Sequence, residues 1–175
     1  MNWGSEFVNL DKAVHDRTSF ECGEIELNEF IKKYAAKHME ANISKTMVLP
    51  ASRKPAGKKY PICSFYTIAP GSIKRETLPA SRRGKLPYYP VPVFLIAQLA
   101  VHSGCQGKGL GKITLVKALE HLWGVNHHMK AYAVIVDCLN EKIASFYSQY
   151  GFEHLDRHGD RLRMYLPMQT VGMLF

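Results

Sequence analysis

The sequence predicts one α/β (α+β) domain, residues 1–175, with helices flanking a central β-sheet. Three observations predict it. The chain has 175 residues, 46% of them hydrophobic, which suffices for one buried core. Runs of β-type alternation interleave with runs of helical period from end to end, with no repeat and no low-complexity tract. An apolar run over 93–101 passes through a polar turn into three alternating glycines, Gly107, Gly109 and Gly111, and then into a helical pattern.

The elements follow in order. A short strand is expected over Phe7–Leu10. Residues 1–7, with Gly4-Ser-Glu-Phe7, are expected to be a cloning remnant or disordered. A helix is expected from about Cys22 to residue 43, with Ile25, Leu27, Phe30, Ile31 and Tyr34 inward and Lys32, Lys33 and Lys37 in water. Thr46–Leu49 and Tyr60–Ile68 read as an antiparallel strand pair across a basic turn broken by Pro55 and Gly57. Residues 70–92 are rich in proline and glycine and read as irregular, with a short helix over Ile73–Arg82. After the strand and glycine turn, Leu110, Ile113, Leu115, Ala118, Leu119 and Leu122 form one broad helical face. Ala131–Cys138 is a buried strand, and Asn140 caps a helix that stops at Gly151. Phe152–Leu155 and Arg161–Leu166 close the chain as a hairpin.

The longest apolar run is about nine residues, against roughly 20 for a membrane span. No secretory signal is expected, and Cys22, Cys63, Cys105 and Cys138 are too scattered for zinc, so they read as reduced thiols of a cytoplasmic protein. No metal site is expected, because His127 and His128 lack a third ligand at useful spacing. Net charge is +8 and unevenly spread: residues 45–112 hold twelve Lys or Arg and one acid, Glu76. Such a segment suits a polyanion, and nucleic acid is favoured over coenzyme phosphates, which need only a few charges. The candidates are Lys32, Lys33, Arg53, Lys54, Lys58, Lys59, Lys74, Arg75, Arg82, Arg83 and Lys85.

A strand, a glycine turn and a helix start aim unpaired N–H groups and a positive dipole end at one point. Lys108 and Lys112 add full charges, so the turn wants a phosphate or pyrophosphate. The dinucleotide fingerprint fails on spacing, and the P-loop fails at Gln106 and Ile113. What fits is Gln106-Gly-Lys-Gly109-Leu-Gly111, which resembles the acetyl-CoA loop of the GCN5-related N-acetyltransferase (GNAT) family. About 30 residues on, Asn140-Glu-Lys-Ile-Ala-Ser-Phe146-Tyr147-Ser-Gln-Tyr150-Gly151-Phe152 resembles the Asn-x-x-Ala-x-x-Phe-Tyr-x-x-x-Gly-Phe ending of that family, with one residue of slack.

This resemblance implies a GNAT fold: a mixed, largely antiparallel sheet with a V splayed between two parallel strands. It implies acetyl-CoA as co-substrate, with backbone groups of Leu99 and Val101 on the pantetheine arm. Gln106, Gly107, Lys108, Gly109, Leu110, Gly111 and Lys112 would hold the pyrophosphate, and Asn140 and Phe146 would line the coenzyme. Tyr147 would be the catalytic acid, since the departing thiolate needs a proton and a phenol of pKa about 10 keeps one at neutral pH.

The strand Ile96–Val101 carries no acid, so a lysine acceptor of pKa about 10.4 would lack a base, whereas an α-amine at about 7.7–8.0 is already partly neutral. Asp137 on the neighbouring strand is a possible base. Phe20-x-Cys22-Gly23 with Leu27-Asn28-x-Phe30-Ile31, and Pro90-Val-Pro92-Val-x-Leu95-x-x-x-Leu99-Ala100-Val101, resemble the GNAT toxins of bacterial toxin–antitoxin pairs. That resemblance implies acetylation of aminoacyl-tRNA, arrest of translation, a ribbon-helix-helix antitoxin, a homodimer and no membrane. The chain departs from it at Gln98 (commonly Arg) and at His102 (commonly Asp), and Gln106 stands where many acetyltransferases have Arg. Two readings stay open beside it: a GNAT enzyme of protein or small-molecule amines, and a silent GNAT-like binding module.

Overall fold

Two short strands, β1 (Val8–Asn9) and β2 (His15–Asp16), precede the first helical stretch. The computed structural model describes residues 1–175 and builds that stretch from three pieces: α1 (Ile25–Glu29), a π turn (Phe30–Tyr34) and α2 (Ala35–Glu40). A π turn holds more residues than an α turn, so the apolar stripe slips around the axis. Phe30, Ile31, Ala35 and Ala36 are buried, whereas Ile25 is 80% exposed and Tyr34 46%. This corrects the single apolar face expected from Ile25 to Tyr34.

Strands β3 (Lys45–Pro50) and β4 (Tyr60–Ile73) pair antiparallel, Lys45 opposite Ile68 and Pro50 opposite Ile62. β4 runs on through Pro70 and Gly71, which the sequence had placed in irregular chain. A Cβ at Gly71 would lie 2.5 Å from Leu95 Cδ1, so the missing side chain lets the strands close up there. The helix expected over Ile73–Arg82 is two pieces, a 3₁₀ turn at Arg75–Thr77 and α3 (Ala80–Arg83), with Pro79 as the N-cap of the second.

The remaining elements are β5 (Val91–Val101), α4 (Leu110–Asn126), β6 (Ala133–Cys138), α5 (Glu141–Ser148), β7 (Glu153–His158), β8 (Arg161–Pro167) and α6 (Met168–Gly172). The sheet order is β1-β3-β4-β5-β6-β8-β7, with β2 beside β4. β5 and β6 are parallel, as are β2 and β4; the pairs β1–β3, β3–β4, β6–β8 and β7–β8 are antiparallel. This is the mixed, largely antiparallel sheet expected.

The chain divides into two compact units, residues 1–69 with 97–118, and 70–96 with 119–175. In the first, Phe20, Phe30, Ile31, Val48, Phe65 and Ala100 share one core cluster. Leu49, Ala51, Cys63, Cys105 and Leu110 form another, against which Trp3, Phe7 and Val101 pack. Disorder expected for residues 1–7 is thus corrected: Trp3 bridges Ala51, and Gly4 N–H donates to Pro50 O at 2.8 Å. Two large aromatics with a core to enter hold that segment down.

Helix α4 contributes a further correction. Ile113 is 43% exposed, while Thr114 is fully buried. At about 100° per residue, Ile113 falls opposite the stripe of Leu115, Ala118, Leu119 and Leu122, and Thr114 falls at its edge, one turn before Ala118. Thr114 tolerates burial because its hydroxyl bonds Ser64 Oγ at 3.0 Å and Leu110 O at 2.7 Å. In the second unit the core cluster joins Ile73, Leu78, Val91, Val93, Ala133, Ile135 and Tyr165.

Candidate active site

In the first unit the glycine turn is anchored at both ends by buried side chains, Cys105 and Leu110. A 3₁₀ turn at Ser103–Cys105 leads into it, capped by His102, whose Nδ1 accepts from Gly104 N–H at 3.0 Å. An Asp in that position would cap through a carboxylate oxygen, so the departure at His102 keeps the capping geometry. Gly107 and Gly109 take φ of +74° and +82°, which an L side chain rarely adopts. A Cβ at either would meet nothing within 4 Å, so nothing obstructs a bulky anion there. Helix α4 begins at Leu110, and the N–H groups of its first turn have no intrahelical partner. Exposed Lys108 and Lys112 flank them.

Gln106 does something the sequence did not announce. Its Nε2 donates to Val101 O at 2.8 Å and to Cys22 O at 2.9 Å. The side chain braces the end of β5 and the start of the glycine turn, which puts it one step behind the anion site. Buried Asn28 continues the brace, its Oδ1 accepting from Cys22 N–H at 2.9 Å and its Nδ2 donating to Glu21 at 2.7 Å. Leu99 and Val101 lie half-buried on β5. Gln98 Oε1 is buried on the same strand without a hydrogen-bond partner.

In the second unit, Asn140 caps α5, its Oδ1 accepting from Ile143 N–H at 3.0 Å. Tyr147 is 6% exposed. Its ring packs edge-on against Phe146 and Phe152, both at 5.2 Å between centroids. Burial, with the Cys138 thiol beside it, pushes the Tyr147 phenol well above its ordinary value. It therefore stays protonated throughout the neutral range. The helix ends at Ser148, and the turn that follows closes at Gly151, φ +90°. β5 and β6 pair only from Val93–Ala133 to Leu95–Ile135, although β5 continues to Val101 and β6 to Cys138.

Asp137 is committed elsewhere. Its Oδ1 and Oδ2 accept from Arg163 Nε at 2.7 Å and Nη2 at 2.9 Å, a two-pronged pair that occupies both oxygens. The cysteines do not offer a nucleophile: all four are free and buried, and burial pushes Cys63 up to about 12 and Cys138 up to about 11. No group of three or more His, Cys, Asp or Glu side chains is placed to hold a metal ion.

The sequence profile described as the Acetyltransferase (GNAT) family matches residues 78–152. A tRNA-acetylating toxin of Mycobacterium tuberculosis is 32% identical over 139 residues, covering 79% of this chain and 78% of its own length. The chain belongs to the GNAT acetyltransferase family. Among solved structures, a tyrosine-to-phenylalanine mutant of KacT superposes with a TM-score of 0.87 at 26% identity, over 97% of this chain and 98% of that one. AtaT complexed with acetyl-methionyl-tRNAfMet gives 0.84 at 25% identity, over 97% and 96%. The fold read from the sequence is therefore the GNAT fold.

For this GNAT enzyme the basic candidates fall into both units. In the first, Lys33 pairs with Glu29 at 2.7 Å, Lys54 sits over the Tyr60 ring at 5.5 Å, and Lys59 donates to Lys12 O. Lys32 lies beside Lys33 in the π turn, and Arg53 and Lys58 share the exposed turn between β3 and β4. In the second, Arg82 pairs with Glu153 at 3.4 Å, and Arg83 donates to Glu76 O at 3.3 Å. Arg75 donates to Leu86 O at 3.0 Å, while Lys74 and Lys85 are exposed. Arg82 also lines a concavity of about 360 Å³ with Trp123, Asn126, Lys130, Tyr132 and Met168. Sequence pattern gave no warning of it, because its lining is gathered from residues as far apart as Arg82 and Met168.

Gly109→Asp is expected to place a Cβ and a negative charge where the anion binds. Acetyl-CoA affinity should fall by about tenfold or more, roughly 1.4 kcal/mol; the open space spares a clash, and the strain of an L side chain at φ +82° falls on the exposed loop rather than on the core. Calorimetry on the folded variant checks this, and unchanged affinity would move the coenzyme off this loop.

Proposed function

We propose that this chain is an acetyl-CoA-dependent N-acetyltransferase toxin that acetylates the α-amino group of aminoacyl-tRNA and so stops translation. The observation that carries the proposal is its 32% identity, over 79% of the chain, to a tRNA-acetylating toxin. The likeness to AtaT, solved with acetyl-methionyl-tRNAfMet, supports the same acceptor.

The residues fit the coenzyme. Gly107 and Gly109 leave room beside helix-start N–H groups, which suits a pyrophosphate held by the backbone from Gly107 to Lys112, with Lys108 and Lys112 adding charge. Gln106 serves by bracing that loop. Backbone groups of Leu99 and Val101 would hold the pantetheine amides, and Asn140 and Phe146 would line the arm. The bound coenzyme supplies an acetyl thioester.

The acceptor's neutral α-amine forms the new C–N bond as the C–S bond breaks. Tyr147 donates to the departing sulfur and gives up its proton, then regains one from the nitrogen that has become an amide. The net result is one amide and one free thiol. No carboxylate is needed for an amine that is already partly neutral, which agrees with the acid-free strand β5 and with Asp137 held by Arg163. The basic turns at Arg53–Lys59 and Lys74–Lys85, with Lys32 and Lys33, would hold the RNA. A homodimer, a ribbon-helix-helix antitoxin and a cytoplasmic site of action belong to the same reading and rest on the toxin resemblance. No helix is long and apolar enough to cross a membrane.

A cell-free translation mixture provides the test. Added protein should stop protein synthesis when acetyl-CoA is present and have no effect when it is omitted. Synthesis that continues undiminished with both present contradicts the proposal.

A further inference from the structure

The segment between β4 and β5 is not a loose loop. Leu78 is buried and Leu86 packs against the second unit's core. Across its neck, Arg75 Nε donates to Leu86 O at 3.0 Å, Leu86 N–H donates to Arg83 O at 3.0 Å, and Arg83 donates to Glu76 O at 3.3 Å. Beyond that tied neck stand Tyr88 and Tyr89, 88% and 65% exposed. Pro87 and Pro90 flank the pair and restrict its backbone. A large aromatic left almost wholly in water on a restrained backbone has no packing purpose in the monomer.

One face of Tyr88 is already used. The Arg75 guanidinium carbon lies 4.2 Å from the ring centroid, and its Nε bond to Leu86 O fixes it there. The other face is open. Lys74, Arg75, Arg82, Arg83 and Lys85 all precede the ring in the same segment, with Glu76 as its only acid. An aromatic face backed by a guanidinium in a strongly cationic segment matches a nucleobase attached to a phosphate chain. A ring can stack only on a base whose own face is uncovered, which in tRNA favours unpaired nucleotides over the helical stem.

We propose that Tyr88, backed by Arg75, is the stacking platform for an unpaired nucleotide at the 3′ end of the RNA substrate. This rests on the reading that the acceptor is aminoacyl-tRNA. It adds to the phosphate-holding lysines and arginines a contact that distinguishes an unpaired end from a duplex.

The test compares the unaltered chain with Tyr88→Ala and Tyr88→Phe on two RNA probes, an uncharged tRNA and the same tRNA trimmed of its unpaired 3′ nucleotides. Tyr88→Ala should weaken binding to the intact tRNA by about 5- to 150-fold, the range of one base stack, and leave binding to the trimmed tRNA unchanged. Tyr88→Phe should bind both as the unaltered chain does. All three proteins should melt alike, because the ring is exposed. Equal affinity of Tyr88→Ala and the unaltered chain for intact tRNA would overturn the platform while leaving the acceptor reading standing. Equal weakening on both probes would also overturn it, making Tyr88 a general backbone contact. Failure of the unaltered chain to bind either probe would overturn the acceptor reading and the platform with it.

Discussion

Tyr147→Phe should slow acetyl transfer by roughly 10²–10⁴-fold while leaving acetyl-CoA affinity nearly unchanged. The substitution removes one oxygen and keeps the ring that packs between Phe146 and Phe152. Burial holds the Tyr147 phenol protonated, so in the unaltered chain a proton stands ready for the leaving sulfur at any neutral pH. The variant must leave a bare thiolate, or wait for water. The loss should therefore appear in kcat and in kcat/KM alike, with the melting temperature close to that of the unaltered chain. Transfer within a few-fold of normal would return Tyr147 to a packing role and leave the leaving-group proton to solvent.

The same tyrosine shows how far sequence alone reaches. Local chemistry was readable: glycines at 107 and 109 announce positive φ, and Asn140 with Gly151 marks both ends of α5. These features depend on a residue and its immediate neighbours. What escaped depends on partners distant in sequence. Gln106 reads as a ligand of the coenzyme, yet its amide turns back to Cys22 O and Val101 O, and no local pattern reveals an acceptor 84 residues away. Thr114 looks like a surface residue until Ser64 supplies its hydroxyl with a partner. The π turn at Phe30–Tyr34 breaks a period that the sequence pattern continues. The terminal Trp3 and Phe7 looked dispensable because their cluster is assembled from β3, β4 and α4.

The exposure of Tyr88 and Tyr89 does carry a local signal. They sit between Pro87 and Pro90, which break any helical or strand period that would carry the rings to a core, and that predicts exposure for a side chain usually half-buried. Asp137 is the converse case. Its type and strand suggested a base, and only the pairing of β6 with β8 brings Arg163 opposite it.

The second large effect is the dependence of transfer on salt. If the basic segments at 53–59 and 74–85 hold an RNA backbone, each phosphate contact releases counterions on binding. Six to ten contacts would cost about 10³–10⁵ in affinity between 50 mM and 200 mM salt. Several of the cations are partly compensated, Lys33 by Glu29 and Arg82 by Glu153, so the effect should lie at the lower end. A small-molecule amine acceptor predicts almost no such slope.

The most direct measurement offers acetyl-CoA labelled in its acetyl group, in parallel, to charged tRNA, uncharged tRNA, peptides and polyamines. Label should pass only to charged tRNA, and mild alkaline hydrolysis of the aminoacyl ester should release it still attached to the amino acid. Label on peptides or polyamines, with none on charged tRNA, would contradict the account.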